Sequence, residues 1–472
     1  MIWKRAIWFL AVLCVATGTY AHKRALYNVV IDTDGGQDDF RAVTLFCASS
    51  DFNINAICST DGVLHPNETA SYFYYLMRRF GHEGIPIGVG KDRKIKKPYR
   101  EHASKGWQQL FANSKPLDLP DASQVLFEAI GNEDKTTIVI ALGPLGNIAD
   151  LLTAHPELKM KIGLVLWFNN DENLKTGYNA ETDRDALKSL DAMHIPLKIV
   201  SAPVDYSYGS VFTDGLGDLN NVYAETMSKF NAAYTGSEIQ IWDELCALYL
   251  TQPNFFTESY NRSGNAVLKP IEPFYPDVLA GAILNTNKSG QGVVFNEIPG
   301  SGNWIMPDLR DRTDEIVQAY GPAEFKIVAM TSEFHSHLGA YSIVGAKMGM
   351  RAMEYFHAGL DEIKVISYAG SNPPLSCLND GLQFGTGATL GYGSIRVDTV
   401  NVRPAARIIY NGRMIEISLK PAIEQQIAAD IGELVRKYGL ESEQYWAQLR
   451  LKSIDYWLQW NRFEIFDIRE VR

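Results

Sequence analysis

Cysteine and positive charge are both scarce in this chain of 472 residues. It has five cysteines, and its 44 lysines and arginines face 55 aspartates and glutamates, so the formal net charge is −11. An acidic chain is a poor partner for a nucleic-acid backbone, so we expect a small molecule or a bound cation and no nucleic acid. Four cysteines follow the first 21 residues: Cys47, Cys58, Cys246 and Cys377. Their even number permits disulfides in an oxidising compartment, but their spacing is not that of a disulfide framework, so buried thiols are favoured.

Long apolar runs are also lacking, except at the start of the chain. The opening MIWKRAIWFLAVLCVATGTYAHKR places Lys4 and Arg5 before the apolar residues 6–15 and ends in small residues near Ala21. This pattern is typical of a cleaved secretory signal, and the apolar run is short for a bilayer span. We therefore predict a signal peptide over residues 1–21, a secreted or periplasmic protein, and no stable membrane insertion after cleavage. An uncleaved membrane anchor is the alternative.

Short apolar runs alternate with helical patterns from residue 28 to about residue 200. YNVVID precedes DDFRAVTLFCAS, INAICST precedes NETASYFYYLMRRFG, and TTIVIAL precedes GNIADLLTAH. Such alternation predicts an α/β fold with a mostly parallel open sheet and flanking helices. Ligands of such sheets bind beyond the carboxyl ends of the strands, and Asp34, Asp61 and Leu142 each follow a predicted strand. We expect these three residues to meet at one site.

The composition changes between residues 286 and 324, where glycine, proline and polar residues dominate. We place a domain boundary at Gly321–Pro322, which divides the chain after the signal into residues 22–320 and 321–472. In the second part, FKIVAM predicts a strand before a helix and IKVISYAG predicts another strand, while the tryptophan-rich C-terminal segment predicts helices. The second domain is therefore expected to be a smaller α+β unit that ends in helices.

The segment NVVIDTDGGQDDFRAV gathers four aspartates, at positions 32, 34, 38 and 39, directly after an apolar run. Crowded carboxylates hinder one another's ionisation, which favours a cation among them, and their hard oxygens suit Ca²⁺ or Mg²⁺. Gly35 and Gly36 permit a tight turn. One alternative is a helix start that merely carries extra acids. Another is the DxDG turn of a Mg²⁺-dependent, haloacid-dehalogenase-type phosphatase, although Gly36 stands where that family has Thr or Val.

The aspartate segment also resembles the opening DxDxxxDD pattern of the nucleoside hydrolase family, and three further segments are similar to that family in the same order. They are IALGPLGNIADLL at residues 140–152, GYNAETDRDA at 177–186 and IWDELCALYL at 241–250. The resemblance implies calcium-dependent hydrolysis of the N-glycosidic bond of ribonucleosides to free base and ribose, often by a homo-oligomer. It implies that Ca²⁺ is held by Asp34, Asp39, Asp243 and the backbone carbonyl oxygen of Leu142.

The resemblance also implies roles in catalysis and ribose binding. Asp34 would take the proton of the attacking water, which then bonds to C1′ as the bond to the base breaks. Asp38 and Asn179 would hold ribose hydroxyls, and Asp61 would lie close to the same pocket. A non-catalytic nucleoside- or ribosyl-binding protein is the alternative from a different functional class.

Base recognition looks most like that of the purine-preferring (inosine–adenosine–guanosine) branch. A glycine follows Asp34, and Trp242 stands directly before Asp243, where other branches usually have a histidine. Stacking of a purine on Trp242 would contribute about 1–3 kcal/mol by analogy with nucleic-acid sites. Trp107 would be either the opposing face of that stack or a packing residue.

Two departures from the family concern the 5′ end of the nucleoside. Gly177 stands where the family usually has a glutamate that helps hold the 5′-hydroxyl, and WFNNDEN at residues 167–173 replaces a glycine-rich turn. Asn169, Asn170 and Asn173 are alternatives for contacting that hydroxyl. We therefore expect the 5′ end to be recognised differently here.

The second part of the chain resembles the FmdE family through EFHSHLGAYSIVGAKMGM and SCLNDGLQFGTGATLG. His335, His337 and Cys377 match its signatures, whereas Gly339 and Ala388 replace two family cysteines. Imidazole and thiolate groups suit Zn²⁺ or another transition metal, so we predict a second metal at His335, His337 and Cys377. A vestigial site held by hydrogen bonds is the alternative.

Overall fold

The computed structural model describes residues 25–94, 107, 110–111, 115, 117–133, 136–202, 221–233, 240–271, 305–359, 361–440 and 442–471. The signal peptide predicted over residues 1–21 lies outside these residues. Within the described part of the chain, no helix combines the length and the apolar character needed to cross a bilayer.

Eight strands form the sheet of the first domain, and their order is β3-β2-β1-β4-β5-β6-β8-β7. All neighbours are parallel except β7, which runs antiparallel to β8 at the edge, so the predicted mostly parallel α/β sheet is confirmed. The strands are β1 Tyr27–Thr33, β2 Phe52–Ser59, β3 Ile87–Val89, β4 Thr137–Ala141, β5 Ile162–Phe168, β6 Leu197–Val200, β7 Phe256–Tyr260 and β8 Ala266–Pro270.

Helices cover both faces of this sheet, so its central strands are apolar on both sides. In β1, Val29 and Ile31 contact one hydrophobic cluster while Val30 contacts another, as the two-residue period of a strand requires. The helices of the first domain in the described residues are α1 Gln37–Ala48, α2 Pro66–Phe80, α3 Ala122–Gly131, α4 Gly146–Ala154, α5 Tyr178–Thr182, α6 Arg184–Ala192, α7 Val222–Ala233 and α8 Glu244–Thr251.

A five-stranded sheet of order β10-β9-β11-β12-β13 and a group of helices form the second domain. The α+β expectation and the C-terminal helices are confirmed. The strands are β9 Lys364–Ser367, β10 Ile395–Val397, β11 Ala405–Tyr410, β12 Arg413–Leu419 and β13 Phe466–Val471. The helices are α9 Pro307–Arg310, α10 Thr313–Phe334, α11 Ala340–Phe356, α12 Leu378–Thr386, α13 Pro421–Tyr438 and α14 Glu443–Gln459.

Two expectations for the second domain need correction. FKIVAM is not a strand but part of α10, where Phe325 and Val328 pack three residues apart against Trp457, at helical spacing. Ile316 joins the same cluster, so residues from 305 onward pack with the second domain and the boundary lies before the predicted Gly321. Gly321 instead marks a kink inside α10, with φ 84° and ψ 162°.

The second domain contacts the ends of α1 and α2. Arg351 on α11 donates to the Gly81 carbonyl oxygen at 3.0 Å and pairs with Glu83 at 2.8 Å. His82 donates to the Glu354 carbonyl oxygen at 2.7 Å, and His357 donates to the Cys47 carbonyl oxygen at 2.6 Å. Since Cys47 lies eight residues after Asp39, the contact of His357 lies about 12 Å along α1 from that aspartate.

Candidate active site

The turn after β1 brings the aspartates together at the carboxyl end of the sheet. Gly35 adopts φ 82°, a conformation that glycine reaches without strain, and α1 begins two residues later. The Asp39 carboxylate accepts hydrogen bonds from the Thr33 hydroxyl at 2.5 Å, from the Asp34 N–H at 3.0 Å and from the Gly36 N–H at 3.1 Å. The side chain of Asp39 therefore caps the helix and fixes the turn that carries Asp34.

Three carboxylates from two distant segments of the chain converge here. Oxygens of Asp38, Asp39 and Asp243 all lie within 4.8 Å of one another. Beside them, Asp34 Oδ2 and Asp243 Oδ1 are buried and have no hydrogen-bond partner in the protein. Unpaired buried carboxylate oxygens are costly unless a cation or a ligand approaches them.

Burial and mutual repulsion control the ionisation of this cluster. Burial, reinforced by the charges of Asp39 and Asp38, raises the pKa of Asp34 well above its usual value. Burial and neighbouring carboxylates likewise raise the pKa of Asp243 well above its usual value and that of Asp38 to about 7. Hard carboxylate oxygens that are buried and repel one another in this way fit a divalent cation such as Ca²⁺.

Two glycines leave room for the Asp34 side chain. A Cβ atom at Gly62 would lie 2.6 Å from Asp34 Cβ and closer still to Oδ2, and a Cβ atom at Gly143 would lie 2.8 Å from Asp34 Cβ. Gly62 follows Asp61 after β2, and Gly143 follows Leu142 after β4. The three strand ends predicted to meet therefore surround one carboxylate.

Asn179 holds the Leu142 carbonyl group in place. Its amide nitrogen donates to the carbonyl oxygens of Leu142 and Phe168, each at 3.0 Å, and so connects the ends of β4 and β5. Because both amide hydrogens are directed to backbone oxygens, a ribose hydroxyl can bind Asn179 only by donating to Oδ1. Asn179 therefore positions the Leu142 carbonyl group, a predicted calcium ligand, and its predicted contact with ribose stays a prediction.

Asp61 is fully buried and accepts a hydrogen bond from the Arg93 N–H at 2.7 Å. It forms a second group of close ligand atoms, with the exposed side chains of His65 and Asp92. Arg93 also pairs with Asp150 at 3.0 Å and Asp183 at 3.4 Å, so its charge is balanced by carboxylates on two helices. The role of Arg93 in contacting Asp61 was not predicted, because no sequence pattern around Arg93 indicates it.

Asn147 is another residue that the sequence analysis missed. Its amide nitrogen donates to Asp32 Oδ1 at 2.7 Å and to the Ser59 carbonyl oxygen at 2.8 Å. It thereby connects α4 to the ends of β1 and β2, directly behind Asp34. The feature of the sequence that indicates a role for Asn147 is its position in GPLGN, the segment that directly follows Leu142.

The two tryptophans differ in their surroundings. Trp242 is half-buried beside Phe168, with ring centroids 6.5 Å apart, and its indole N–H is buried without an acceptor. Trp107 is 0% exposed, and its ring is stacked 5.4 Å from Tyr72 within an aromatic cluster. Its indole nitrogen donates to the Gly35 carbonyl oxygen at 3.0 Å. The structure therefore places Trp107 as a packing residue behind the aspartate turn, which is the second of its two predicted alternatives, and not as an opposing stacking face.

The departure at Gly177 has a physical cause in the neighbouring Asn169. Gly177 has φ 100°, and a Cβ atom there would lie 2.5 Å from Asn169 Oδ1. Asn169 donates to the Asp171 carbonyl oxygen at 2.7 Å and accepts from the Ala180 N–H at 3.2 Å. Asn169 is therefore tied to the loop and to α5, and a glutamate at residue 177 would not fit this arrangement.

The second metal site predicted in the FmdE-like part concerns His335, His337 and Cys377. Among the described residues, the close groups of ligand atoms include neither His335, His337 nor Cys377. His335 instead pairs with Asp380, with Nδ1 2.7 Å from the carboxylate, and lies against His337 with ring centroids 4.3 Å apart. Burial raises the pKa of Cys377 to about 11. His335 Nε2 is buried without a hydrogen-bond partner in the protein, so the metal site and the hydrogen-bonded alternative both stay predictions.

Comparison with known proteins agrees with this geometry. The family model described as inosine-uridine preferring nucleoside hydrolase matches residues 29–272, more than half of the chain, and the FmdE model (molybdenum formylmethanofuran dehydrogenase operon) matches residues 334–467. The pyrimidine-specific ribonucleoside hydrolase RihA of Citrobacter koseri is 24% identical over 223 residues, which is 45% of this chain and 67% of that protein. The non-specific ribonucleoside hydrolase RihC of Klebsiella pneumoniae is 22% identical over 249 residues, 48% of this chain and 80% of that protein.

Among solved structures, the inosine-uridine preferring nucleoside hydrolase of Bacillus anthracis superimposes with a TM-score of 0.47 at 16% identity, over 56% of this chain and 99% of that one. The family match covers β1, the aspartate turn, α5 and the segment of Trp242 and Asp243. The chain therefore belongs to the nucleoside hydrolase family and is a ribonucleoside N-glycosidase with an FmdE-like region after its hydrolase domain.

Proposed function

We propose that the first domain is a calcium-dependent hydrolase that prefers purine ribonucleosides, with Asp34 as the catalytic base. The observation that carries this proposal is the buried, unpartnered Asp34 Oδ2 between Gly62 and Gly143. Asp34 lies close to Asp39 and Asp38, which act on its charge, and so provides a proton acceptor next to the cation cage formed by the carboxylates of Asp38, Asp39 and Asp243.

Asp34, Asp39, Asp243 and the Leu142 carbonyl oxygen would hold the cation. A bound Ca²⁺ would supply positive charge that favours deprotonation of water and binding of the ribose diol. Asp39 is already oriented by three hydrogen bonds, and Leu142 by Asn179, so these ligands are preorganised.

Asp34 takes a proton from water as the water oxygen bonds to C1′ and the bond from C1′ to the base nitrogen breaks. The electron pair of that bond leaves with the base. Asp38, Asp61 and Asn179 accept hydrogen bonds from ribose hydroxyls and hold C1′ in line with the water. This scheme uses one carboxylate base, where O-glycosidases use two carboxyl groups.

The purine preference rests on Trp242. Its half-buried ring can cover more of a purine than of a pyrimidine, and stacking contributes about 1–3 kcal/mol per base. Since Trp107 lies in the core, the base would be stacked on one face by Trp242 rather than held between two tryptophans.

The test is an isosteric substitution of the base, Asp34→Asn. Inosine hydrolysis should fall at least a thousandfold while the circular dichroism spectrum and melting midpoint stay close to those of the wild type, because the side chain keeps its volume. Asp121→Asn, which changes a helix cap outside the site, is the matched control and should keep wild-type turnover. Near-normal hydrolysis by the Asp34→Asn variant would exclude Asp34 as the base.

We further propose that the protein is exported and loses residues 1–21. The basic start, short apolar run and small residues before Ala21 support this proposal. N-terminal sequencing of the protein from its native host should begin at His22; a chain that begins at Met1 would contradict it.

A further inference from the structure

We propose that the buried ion pair of Arg41 and Glu244 is a positioning pair that fixes Asp243 and Trp242 against α1 and thereby sets the affinity of the cage for its cation. The inference rests on the proposed function, because it concerns the same calcium site. It assigns a role to two residues that do not themselves contact substrate.

The pair joins two segments that are far apart in the sequence. Arg41 lies on α1, two residues after Asp39, and Glu244 directly follows Asp243. Their side chains are 3% and 0% exposed, and the Arg41 Nε–H donates to Glu244 Oε1. Each partner is therefore adjacent in the chain to a predicted calcium ligand.

The same two side chains also bind the backbone of the segment that carries Trp242. Arg41 Nη2 donates to the Gln240 carbonyl oxygen at 2.6 Å, and Glu244 Oε2 accepts from the Trp242 N–H at 3.1 Å. The guanidinium group thus bridges a carboxylate and a carbonyl four residues apart. The backbone that leads into Trp242 is therefore held to α1 by one ion pair.

The pair also keeps a positive charge from neutralising the cage. Without Glu244, the Arg41 guanidinium would be attracted to the nearby carboxylates, since Arg41 lies only two residues after Asp39 on α1. Because Glu244 holds the Arg41 guanidinium, the carboxylates of Asp38, Asp39 and Asp243 stay available to a cation instead of pairing with Arg41. The pair therefore acts both on the geometry of Asp243 and on competition with calcium.

A buried ion pair can also serve stability alone, so the test separates the two roles. Removal of one partner leaves a buried charge and destabilises a protein, whereas replacement of both by apolar residues of similar volume is often neutral. Arg41→Met/Glu244→Met should therefore fold with a melting midpoint near that of the wild type in the absence of calcium. Glu244→Gln keeps the shape of the side chain but leaves Arg41 unbalanced.

A matched control exists at the domain interface. Arg351 bridges the Glu83 carboxylate and the Gly81 carbonyl oxygen, as Arg41 bridges Glu244 and Gln240, but at the end of α2, where the two domains meet. Arg351→Met/Glu83→Met removes an equivalent pair. It should leave the calcium affinity within twofold of the wild type.

The measurement is calcium binding by isothermal titration to the full chain, with the KM and kcat for inosine as a second readout. We expect both Arg41→Met/Glu244→Met and Glu244→Gln to bind calcium at least tenfold more weakly, with a raised KM at saturating calcium because Trp242 is displaced. Wild-type calcium affinity in folded variants of both kinds would overturn the role of the pair and leave the proposed function standing. Absence of calcium binding by the wild type would overturn both.

Discussion

Gly62→Ala is the substitution that most directly probes the placement of the catalytic carboxylate. The new Cβ atom would lie 2.6 Å from Asp34 Cβ, whereas carbon atoms in contact are about 3.5 Å apart. The Asp34 side chain would therefore have to move by roughly 0.9 Å. A displacement of about 1 Å in an active site can cost about a hundredfold in rate, which corresponds to about 2.7 kcal/mol of transition-state stabilisation.

The expected result is a loss of about a hundredfold in kcat/KM for inosine, measured by release of reducing ribose at saturating calcium. Gly62 has no left-handed backbone conformation that alanine would strain, so the fold should persist and the melting midpoint serves as a check. Gly131→Ala is the control, because its Cβ atom would meet only Leu158 at 3.8 Å, and it should keep full activity. Wild-type kcat/KM for a folded Gly62→Ala enzyme would refute the assignment of Asp34 as the base.

Three further predictions concern metal, base and pH. Chelation of calcium should lower the melting midpoint by roughly 5–10 °C if the ion is present at about 100 times its Kd, and no shift would argue against a structural cation. Trp242→Leu should raise the KM for inosine at least tenfold while changing that for uridine less than threefold; equal effects would remove the stacking role. Burial lowers the pKa of His82 well below its usual value and lowers that of His357, so the unfolded chain takes up protons that the folded one does not. The stabilising contribution of the two neutral histidines to the free energy of unfolding is therefore fully present above about pH 6.5. Below that pH it falls by up to about 2.7 kcal/mol per pH unit, about 1.36 kcal/mol for each histidine. Urea unfolding between pH 7.5 and pH 5 should give a smaller dependence of the free energy of unfolding on pH for His82→Gln/His357→Gln than for the wild type. An unchanged dependence would contradict the attribution of this effect to His82 and His357.

The sequence predicts the aspartate turn well because its determinants are local. A buried strand, two glycines and a helix start fix where Asp34 and Asp39 lie. The alternation of strands and helices likewise predicts the parallel sheet. Asp243 required the resemblance to a family, because it lies more than 200 residues from the other carboxylates.

Contacts between distant segments could not be predicted. Trp107 packs against Phe230, at a ring-centroid distance of 5.2 Å, and no feature of the sequence near Trp107 indicates that partner. The pairing of Arg41 with Glu244 spans 203 residues. Tertiary packing of this kind decides whether an aromatic or charged side chain serves the site or the core.

Two errors in the second domain have different causes. FKIVAM is a short apolar run, and such a run does not distinguish a strand from a segment of a buried helix. The hairpin of β11 and β12 was missed although its signal is present, since Asn411 and Gly412 both have positive φ and Asn-Gly is a strong hairpin turn.

Hydrolysis of nucleosides by the purified protein is the most direct test of the proposed calcium-dependent, purine-preferring activity. Inosine, adenosine, guanosine, uridine and cytidine would each be incubated with calcium and again with a chelator, and released ribose would be measured. We expect the protein to release ribose in the presence of calcium, faster from the purine nucleosides than from the pyrimidine nucleosides, and we expect the chelator to abolish the release. No release from any of the five by a protein that binds calcium would contradict it and would favour a nucleoside- or ribosyl-binding protein.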